Sequence, residues 1–276
     1  MNLMKPVKKS VKTVLWTLLA DRDGLKNVRV LSGPAKGTRL RVDLRCESAY
    51  WIGTYDRRIL EQVCALMHPG QVIWDCGSYL GYYAAASRKR VGQSGLVVCF
   101  DGSSQNYNRL LSMPSANGWD NIKVIHMAIG PDHTTLRFVS NKEGANSGPM
   151  DMPNGLLPKT GALVEQVTSS GLDELAYEKG FPLPDFIKMD LEMGEIYALR
   201  NGERLFIEKK PIVLIELHKN REPGIPPAFS AAEEFLRRFR YKGLEAHLRT
   251  EVRTVGDFLS VEKRGIQCTI LATPLH

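Results

Sequence analysis

The sequence predicts an α/β protein whose mostly parallel, seven-stranded sheet is finished by a C-terminal antiparallel hairpin. Three observations predict this fold. Short apolar segments alternate with helical segments beyond residue 28, the apolar stretch 71–75 runs into a glycine-rich turn, and two strands near the C-terminus follow each other directly. Alternating strands and helices are typical of a parallel sheet.

Each element follows from its local pattern. Two strands around Gly33 and Gly37 predict a hairpin, Pro69 and Gly70 end a first helix, and Pro114 is expected to stop a later one. The predicted strands are 28–31, 40–44, 71–75, 96–100, 122–127, 186–190, 212–217, 243–247 and 267–272, and the predicted helices are 56–67, 82–90, 104–113 and 231–241. Residues 141–171 lack a clear pattern and are expected to form a binding loop or a surface insertion.

Length and composition favour one large domain at 51–276 and an extension at 1–50. The extension begins with Lys5, Lys8, Lys9 and Lys12 beside apolar residues at helical spacing, which predicts a basic amphipathic helix. We expect it to pack on the domain, with peripheral contact to an anionic membrane as the alternative. It is too short to span a bilayer, and no signal cleavage site follows it.

The net charge and the number of cysteines limit the classes to which the protein can belong. A net charge of +7 and a pI near 9.1 permit weak attraction to polyanions, but no basic-aromatic module for nucleic acid is present. Five scattered cysteines without a C-x-x-C pair indicate neither a disulfide framework nor a zinc site. A cytoplasmic protein fits best, and the oligomeric state is left open.

The glycine-rich turn carries the most chemistry. Its sequence is Asp75-x-Gly77-x-x-x-Gly81, so an acid ends the strand that precedes it. A strand that leads through such a turn into a helix is typical of the nucleotide site of a Rossmann-like sheet. A carboxylate here would repel a pyrophosphate, whereas S-adenosylmethionine has no phosphate and carries an ammonium and a sulfonium. The turn therefore indicates a methyl-donor site. Asp101 ends the next strand, where a carboxylate can accept hydrogen bonds from a ribose diol.

A second group of polar residues lies at the ends of two later strands. Asp190, Glu192 and Glu195 follow one strand, and Glu216 and His218 end the next on the same side. Methyl transfer to a hydroxyl needs a base, so His218 and Asp190 are the candidates and Glu216 can orient either one. The same residues could bind magnesium or manganese, although we favour a site without metal.

These motifs, taken in order, resemble the FkbM family of S-adenosylmethionine-dependent methyltransferases. The resemblance covers about residues 51–218: Gly53 to Asp56, the turn at Asp75 with Tyr82 and Tyr83, Phe100-Asp101 with Asn106, 121–124 with 128–130, Asp185 to Glu192 with Glu195, and Ile215 to His218. It implies a class I methyltransferase fold and O-methylation of a sugar, glycolipid, polyketide or related secondary metabolite. It also implies that the donor is bound by Tyr55, Asp75, Gly77, Ser78, Gly81, Asp101, Gly102, Asn106, Met127, Ala128 and Asp190.

Two positions depart from the family pattern. The family usually has Glu-Pro where this chain has Asp101-Gly102, and the shorter acid changes how a ribose would be held. The family's D-x-E-G-x-E reads here as Asp190-Leu-Glu-Met-Gly-Glu195, with the glycine one place late. This shift affects the local backbone and the acceptor pocket.

Several other functions are open at this point. A non-catalytic protein that binds the donor is the main alternative from another class, and a metal-assisted O-methyltransferase is a second. A nucleic-acid methyltransferase is less favoured, since no Asn/Asp-Pro-Pro-Tyr motif is present. A nicotinamide-dependent dehydrogenase is disfavoured by the glycine spacing and by Asp75. The expected partner is a small-molecule or glycan acceptor.

Overall fold

The structure is a computed structural model that describes residues 24–140, 147–152, 155–218, 224 and 226–275. The predicted N-terminal amphipathic helix lies outside these residues. Among the described residues, no helix is both long enough and apolar enough to cross a membrane.

The main sheet has eight strands, of which five are parallel. In spatial order they are β13 (Thr250–Val252), β12 (Tyr241–Glu245), β14 (Cys268–Pro274), β11 (Ile212–Leu217), β10 (Phe186–Met189), β3 (Val72–Cys76), β4 (Leu96–Asp101) and β5 (Ile122–His126). Strands β11, β10, β3, β4 and β5 are parallel, and β14, β12 and β13 add antiparallel pairs. The predicted fold class is confirmed, with one short edge strand more than the seven expected.

Helices cover the sheet. They are α1 (Ser48–Ile52), α2 (Arg57–Leu66), α3 (Tyr82–Val91), α4 (Ser104–Leu110), α5 (Ser112–Asn117), α6 (Glu195–Arg200), α7 (Glu203–Glu208), α8 (Pro227–Arg238) and α9 (Val255–Lys263), with a π-helical turn at Glu174–Glu178. The aromatic residues Trp74, Phe100, Phe206 and Phe229 are fully buried in the core on one side of the sheet. The burial of these side chains stabilises the sheet and therefore the positions of its strand ends.

Three local expectations need correction. Pro114 does not stop a helix, because it lies in the first turn of α5, where a proline's missing N–H costs nothing. The last two predicted strands are antiparallel as expected, but they are not a simple hairpin, since β13 and α9 lie between them. The segment 141–171 is not irregular throughout, because it contains β8 (Ser147–Pro149) and β9 (Leu163–Ser170).

These two strands belong to a second, four-stranded sheet. β9 pairs antiparallel with β7 (Thr134–Ser140) and parallel with β6 (Ala128–Ile129), and β8 pairs with the other edge of β7. Gly130 lies so close to Met152 and Ser169 that a Cβ there would be 2.6 Å from the methionine methyl group. The chain after β6 therefore packs closely against β9 and against the residue Met152 that follows β8.

The predicted N-terminal hairpin forms from β1 (Lys26–Arg29) and β2 (Arg39–Val42). It shares a buried cluster with α2 and α3. A buried ion pair between Glu47 and Arg109 also connects this part of the chain to α4, and the hydroxyl of Tyr79 donates to Glu47 as well. The extension is thus joined to the glycine-rich turn by charge as well as by apolar contact.

Candidate active site

The glycine-rich turn connects β3 to α3 and lies beside the end of β10. Gly77 has φ +75, and a Cβ there would lie only 1.8 Å from the backbone oxygen of Asp190. The N–H groups of Gly77 and Ser78 donate to the carbonyl of Phe100. Only glycine permits this approach, so the turn and the strand end at Asp190 are held against each other.

Asp101 lies at the end of β4 and is nearly inaccessible to solvent. Its Oδ2 accepts a hydrogen bond of 2.8 Å from the N–H of Tyr79, and its Oδ1 accepts one of 2.9 Å from the N–H of Ser103. The amide of Asn106 donates to both oxygens. Burial raises the pKa of Asp101 to about 6, although these donors favour the ionised form.

A cavity extends from Asp101 to the strand ends at Asp190 and Glu216. It is lined by Tyr50, Tyr55, Gly77, Tyr79, Phe100, Asp101, Gly102, Asn106, Met127, Ala128, Ile129, Phe138, Ser147, Pro149, Asp190, Leu191, Glu192 and Glu216. Gly102 adjoins Phe138, because a Cβ at Gly102 would lie 2.5 Å from that ring. The missing side chain of Gly102 therefore lets Phe138 of the second sheet pack against the end of β4.

Asp75 does not line this cavity. It is buried beneath the turn, and its Oδ1 lies 3.7 Å from the ammonium of Lys188, which occupies the paired position on β10. Lys188 also donates to the carbonyl of Gly77 at 2.6 Å and lies 3.3 Å from Oδ2 of Asp190. Burial raises the pKa of Asp75 to about 6, and Lys188 opposes that rise. Asp75 thus faces Lys188 rather than the cavity.

His218 lies behind the carboxylates rather than on the cavity surface. Its Nδ1 is 2.6 Å from Oε1 of Glu195, a carboxylate with no exposed surface. Its Nε2 lies 3.6 Å from Asp190, 3.7 Å from Glu192 and 3.8 Å from Glu216. Four carboxylates therefore surround one imidazole.

This environment changes the expected role of His218. Burial alone would lower its pKa, but Glu195 and then Glu192 and Asp190 outweigh burial and raise the pKa to about 10. An imidazole that already holds both protons cannot accept another, so the arrangement disfavours His218 as the general base. Burial, followed by the charge of Asp190, raises the pKa of Glu216.

The late glycine of the Asp190 to Glu195 segment has a visible consequence. Glu192 and Met193 have φ +47 and +89, whereas Gly194 has an ordinary φ of −79. Two successive side-chain-bearing residues therefore adopt left-handed conformations, each at a cost of about 1–2 kcal/mol. The turn places the carboxylate of Glu192 beside His218.

Most of the predicted site residues line the cavity. They are Tyr55, Gly77, Asp101, Gly102, Asn106, Met127, Ala128, Asp190 and Glu216. Asp75, Ser78, Gly81 and His218 do not line it. Ser78 is buried and donates to the carbonyl of Asp75 at 2.6 Å, and Gly81 precedes α3 with φ +82. These last two residues shape the turn from behind.

Several residues of the site were not predicted from the sequence. Tyr50, Tyr79, Phe138, Ser147 and Pro149 line the cavity, and Lys188 supports it. A lysine inside the apolar strand 186–189 was the one visible signal, because a charge in a buried strand needs a partner. Phe138, Ser147 and Pro149 come from the second sheet, which no pattern in the sequence predicted.

A parallel α/β sheet with a cavity at its strand ends, and a buried acid after the second parallel strand, defines the class of nucleoside-cofactor proteins to which class I methyltransferases belong. The family model "Methyltransferase FkbM domain" matches residues 75–242. The chain belongs to this methyltransferase family, which confirms the family resemblance and S-adenosylmethionine as the methyl donor.

Solved structures of related fold were also found. An FkbM methyltransferase from Methylobacillus flagellatus KT is 17% identical, with a TM-score of 0.48, over 75% of this chain and 44% of that chain. Aeropyrum pernix fibrillarin, solved with natively bound S-adenosyl-L-methionine, is 12% identical, with a TM-score of 0.45, over 91% and 90% of the two chains. The chain thus spans less than half of the M. flagellatus protein. No curated protein matches the sequence significantly.

Proposed function

We propose that this protein is an S-adenosylmethionine-dependent O-methyltransferase that acts on a hydroxyl group of a sugar, glycolipid or secondary metabolite. One observation carries the proposal. A single cavity has the buried Asp101 at one end and the carboxylates of Asp190 and Glu216 at the other. The first end suits a nucleoside, and the second suits a hydroxyl that must lose its proton.

The residues at the Asp101 end fit the nucleoside of the donor. Tyr79, Ser103 and Asn106 hold the carboxylate of Asp101 in place, and the hydroxyls of a ribose diol can replace the long hydrogen bonds of 3.2 and 3.4 Å from Asn106. Met127, Ala128 and Phe138 provide an apolar surface for the flat adenine base. Asn106 and Gly102 also line the cavity at this end.

The residues at the other end suit the methionine part of the donor and the acceptor. When bound, S-adenosylmethionine supplies an electrophilic methyl group that an acceptor oxygen can take. Asp190 lies beside Gly77 and can attract the donor's ammonium. As the acceptor oxygen bonds to the methyl carbon, its proton must go to a base, and Asp190 and Glu216 are the predicted catalytic residues that line the cavity.

Two tyrosines make a hydroxylated ring a suitable acceptor. Tyr50 and Tyr55 stack with ring centroids 4.1 Å apart, and both line the cavity near Asp190 and Glu216. Aromatic faces next to carboxylates offer a ring both apolar contact and hydrogen-bond acceptors. A small-molecule or glycan acceptor is therefore favoured over nucleic acid.

Calorimetric titration with S-adenosylhomocysteine and with NAD tests the donor site. We expect binding of S-adenosylhomocysteine and none of NAD. Methyl transfer is then measured by mass spectrometry with a trideuteromethyl-labelled donor and a panel of sugars and glycosides. Asp190→Asn should lower turnover at least a hundredfold. Donor binding with no product from any hydroxylated acceptor would favour a non-catalytic donor-binding protein, and preference for NAD would refute the proposal.

A further inference from the structure

The side chains of Asp190, Glu192 and His218 converge at the cavity end that is rich in carboxylates. Each offers one oxygen or nitrogen atom, and these three atoms all lie within 4.8 Å of one another. We propose that they form a binding site for a divalent cation. This proposal reverses the preference for a metal-free site that the sequence alone suggested.

The distances around His218 leave a centre for such an ion. Its Nε2 lies 3.6 Å from Oδ1 of Asp190 and 3.7 Å from Oε1 of Glu192, too far for hydrogen bonds. Neighbouring ligand atoms of an octahedral ion with bonds of 2.1 Å are about 3 Å apart. Small side-chain rotations would therefore bring all three atoms to bonding distance.

Two buried charges outside the ligand set hold the ligands in the required orientation. Glu195, whose side chain has no exposed surface, binds Nδ1 of His218, which turns Nε2 toward the carboxylates. Lys188, only 10% exposed, lies against Oδ2 of Asp190 and leaves Oδ1 for an ion. A ligating histidine that gives its other N–H to a carboxylate is a recurrent feature of metal sites. An ion bound at Nε2 would take the place of the proton that this nitrogen otherwise carries, and that proton would be released to solvent.

Another histidine of the chain shows the difference between this arrangement and an ordinary surface cluster. His133 lies 3.2 Å from Glu174 and 3.4 Å from Glu178, but its side chain is 66% exposed. Lys179 already neutralises Glu174 at 2.5 Å. Among the described residues, only one carboxylate, that of the exposed Glu178, lies at Nε2 of His133, so this second cluster is a suitable comparison that should not bind the ion.

The ligand types select among cations. Two carboxylates and one imidazole leave three positions of an octahedron for water, which suits Mn²⁺ and, more weakly, Mg²⁺. Because Asp190 and Glu192 line the cavity, these positions face it, and oxygens of an acceptor can replace the water. That use of the ion rests on the proposed function, whereas the cation site itself does not. With Asp190 as a ligand, Glu216 is the cavity carboxylate left to take the acceptor's proton.

Electron paramagnetic resonance of Mn²⁺ tests the site directly. The full-length protein is freed of metal with a chelator, exchanged into plain buffer and titrated with MnCl₂ while the signal of free Mn²⁺ is followed. We expect one bound ion per chain. Glu192→Gln and His218→Asn should weaken binding at least tenfold, and Glu195→Gln, which does not touch the ion, about 10- to 100-fold. His133→Asn should leave the affinity unchanged.

A full free-ion signal up to millimolar MnCl₂ would overturn the proposal, as would equal affinity of Glu192→Gln and the unaltered protein. Thermal melting checks that each variant is folded. Glu192 is partly exposed and a glutamine keeps its size, so this variant decides the question if His218→Asn does not fold. Titration of the metal-free protein with S-adenosylhomocysteine tests the donor site separately, so that either proposal can fail while the other stands.

Discussion

The acidic side chains at the two ends of the cavity have different surroundings. At the end that we propose binds the nucleoside, called here the nucleoside end, the carboxylate of Asp101 accepts hydrogen bonds from two backbone N–H groups and an amide. At the other end, four carboxylates lie around His218, and Lys188 contacts the one that belongs to Asp190. The first end surrounds one acid with hydrogen-bond donors, whereas the second groups several acids around one imidazole.

This difference indicates which end of the cavity is suited to bind a cation. A buried carboxylate with three donors keeps its position without a ligand, so it can act as a preformed hydrogen-bond acceptor for a neutral diol. A group of carboxylates in a partly buried site is stabilised by any cation that enters it. The ammonium and sulfonium of the donor and a divalent ion are both cations of this kind.

The largest effect is expected where the two ends meet, at Gly77. Alanine there would put its Cβ 1.8 Å from the backbone oxygen of Asp190, at φ +75. The clash and the backbone strain together should cost about 2–5 kcal/mol of stability. Because turn and strand must move apart, affinity for S-adenosylhomocysteine should fall at least a hundredfold. Thermal unfolding and calorimetry measure the two effects.

Gly118→Ala is the matched control for Gly77→Ala. Gly118 has φ +66, but a Cβ there would have no neighbour within 4 Å. Only the left-handed strain remains, about 1–2 kcal/mol, and ligand binding should not change. If both variants lost the same stability and both kept full affinity, the close approach of Gly77 to Asp190 would not matter for the site.

Asp101→Asn should have the next largest effect and separates the two ends. An amide keeps the size of the side chain but loses the charge that strengthens its hydrogen bonds to a ribose, so affinity for S-adenosylhomocysteine should fall about 10- to 100-fold. Glu192→Gln makes the same chemical change at the other end and should alter that affinity less than threefold. Calorimetry on both variants measures the contrast. Equal losses would mean that the two ends do not differ in the way proposed.

The sequence predicted the wall of the cavity that the strand ends form better than the wall that the second sheet forms, for a physical reason. Asp101, Gly77 and Asp190 follow strands of a parallel sheet, and the ends of such strands meet at one edge whatever the intervening loops do. Phe138 and Pro149 reach the cavity from the second sheet, whose position depends on long-range pairing that no local pattern reports. The site of the glycine turn could therefore be predicted, but its far wall could not.

Burial also explains why Asp75, which the sequence predicts to bind the donor, does not line the cavity. Its place at the end of a strand is the same as that of Asp101, but the paired position on β10 holds Lys188, which meets it from below the turn. Strand register, which decides such pairs, cannot be obtained from one segment alone. The same reason applies to His218, which the sequence predicted as a base. Glu195, which raises the pKa of His218, lies at the start of α6, and a contact between a helix and a strand end cannot be obtained from either segment alone.

The smallest effect, and the most specific to the nucleoside end, is a dependence of binding on pH. The pKa of Asp101 is raised to about 6, and a carboxylate accepts hydrogen bonds from both hydroxyls of a ribose, whereas a protonated acid gives up one acceptor. Ligand should therefore bind the ionised form. Affinity for S-adenosylhomocysteine should be constant above about pH 7 and fall about tenfold by pH 5, since each unit below the pKa reduces the ionised fraction tenfold.

Asp101→Asn is the control for this pH profile, because an amide does not titrate in this range. Its affinity, already weaker, should stay level between pH 5 and pH 8, so the two profiles should converge toward low pH. Asp75 also has a pKa near 6, but it lies beneath the turn and stays intact in the variant. If the variant kept the tenfold fall, the titrating group would be Asp75 acting through Lys188 and the turn, and the nucleoside end would depend on the charge beneath it.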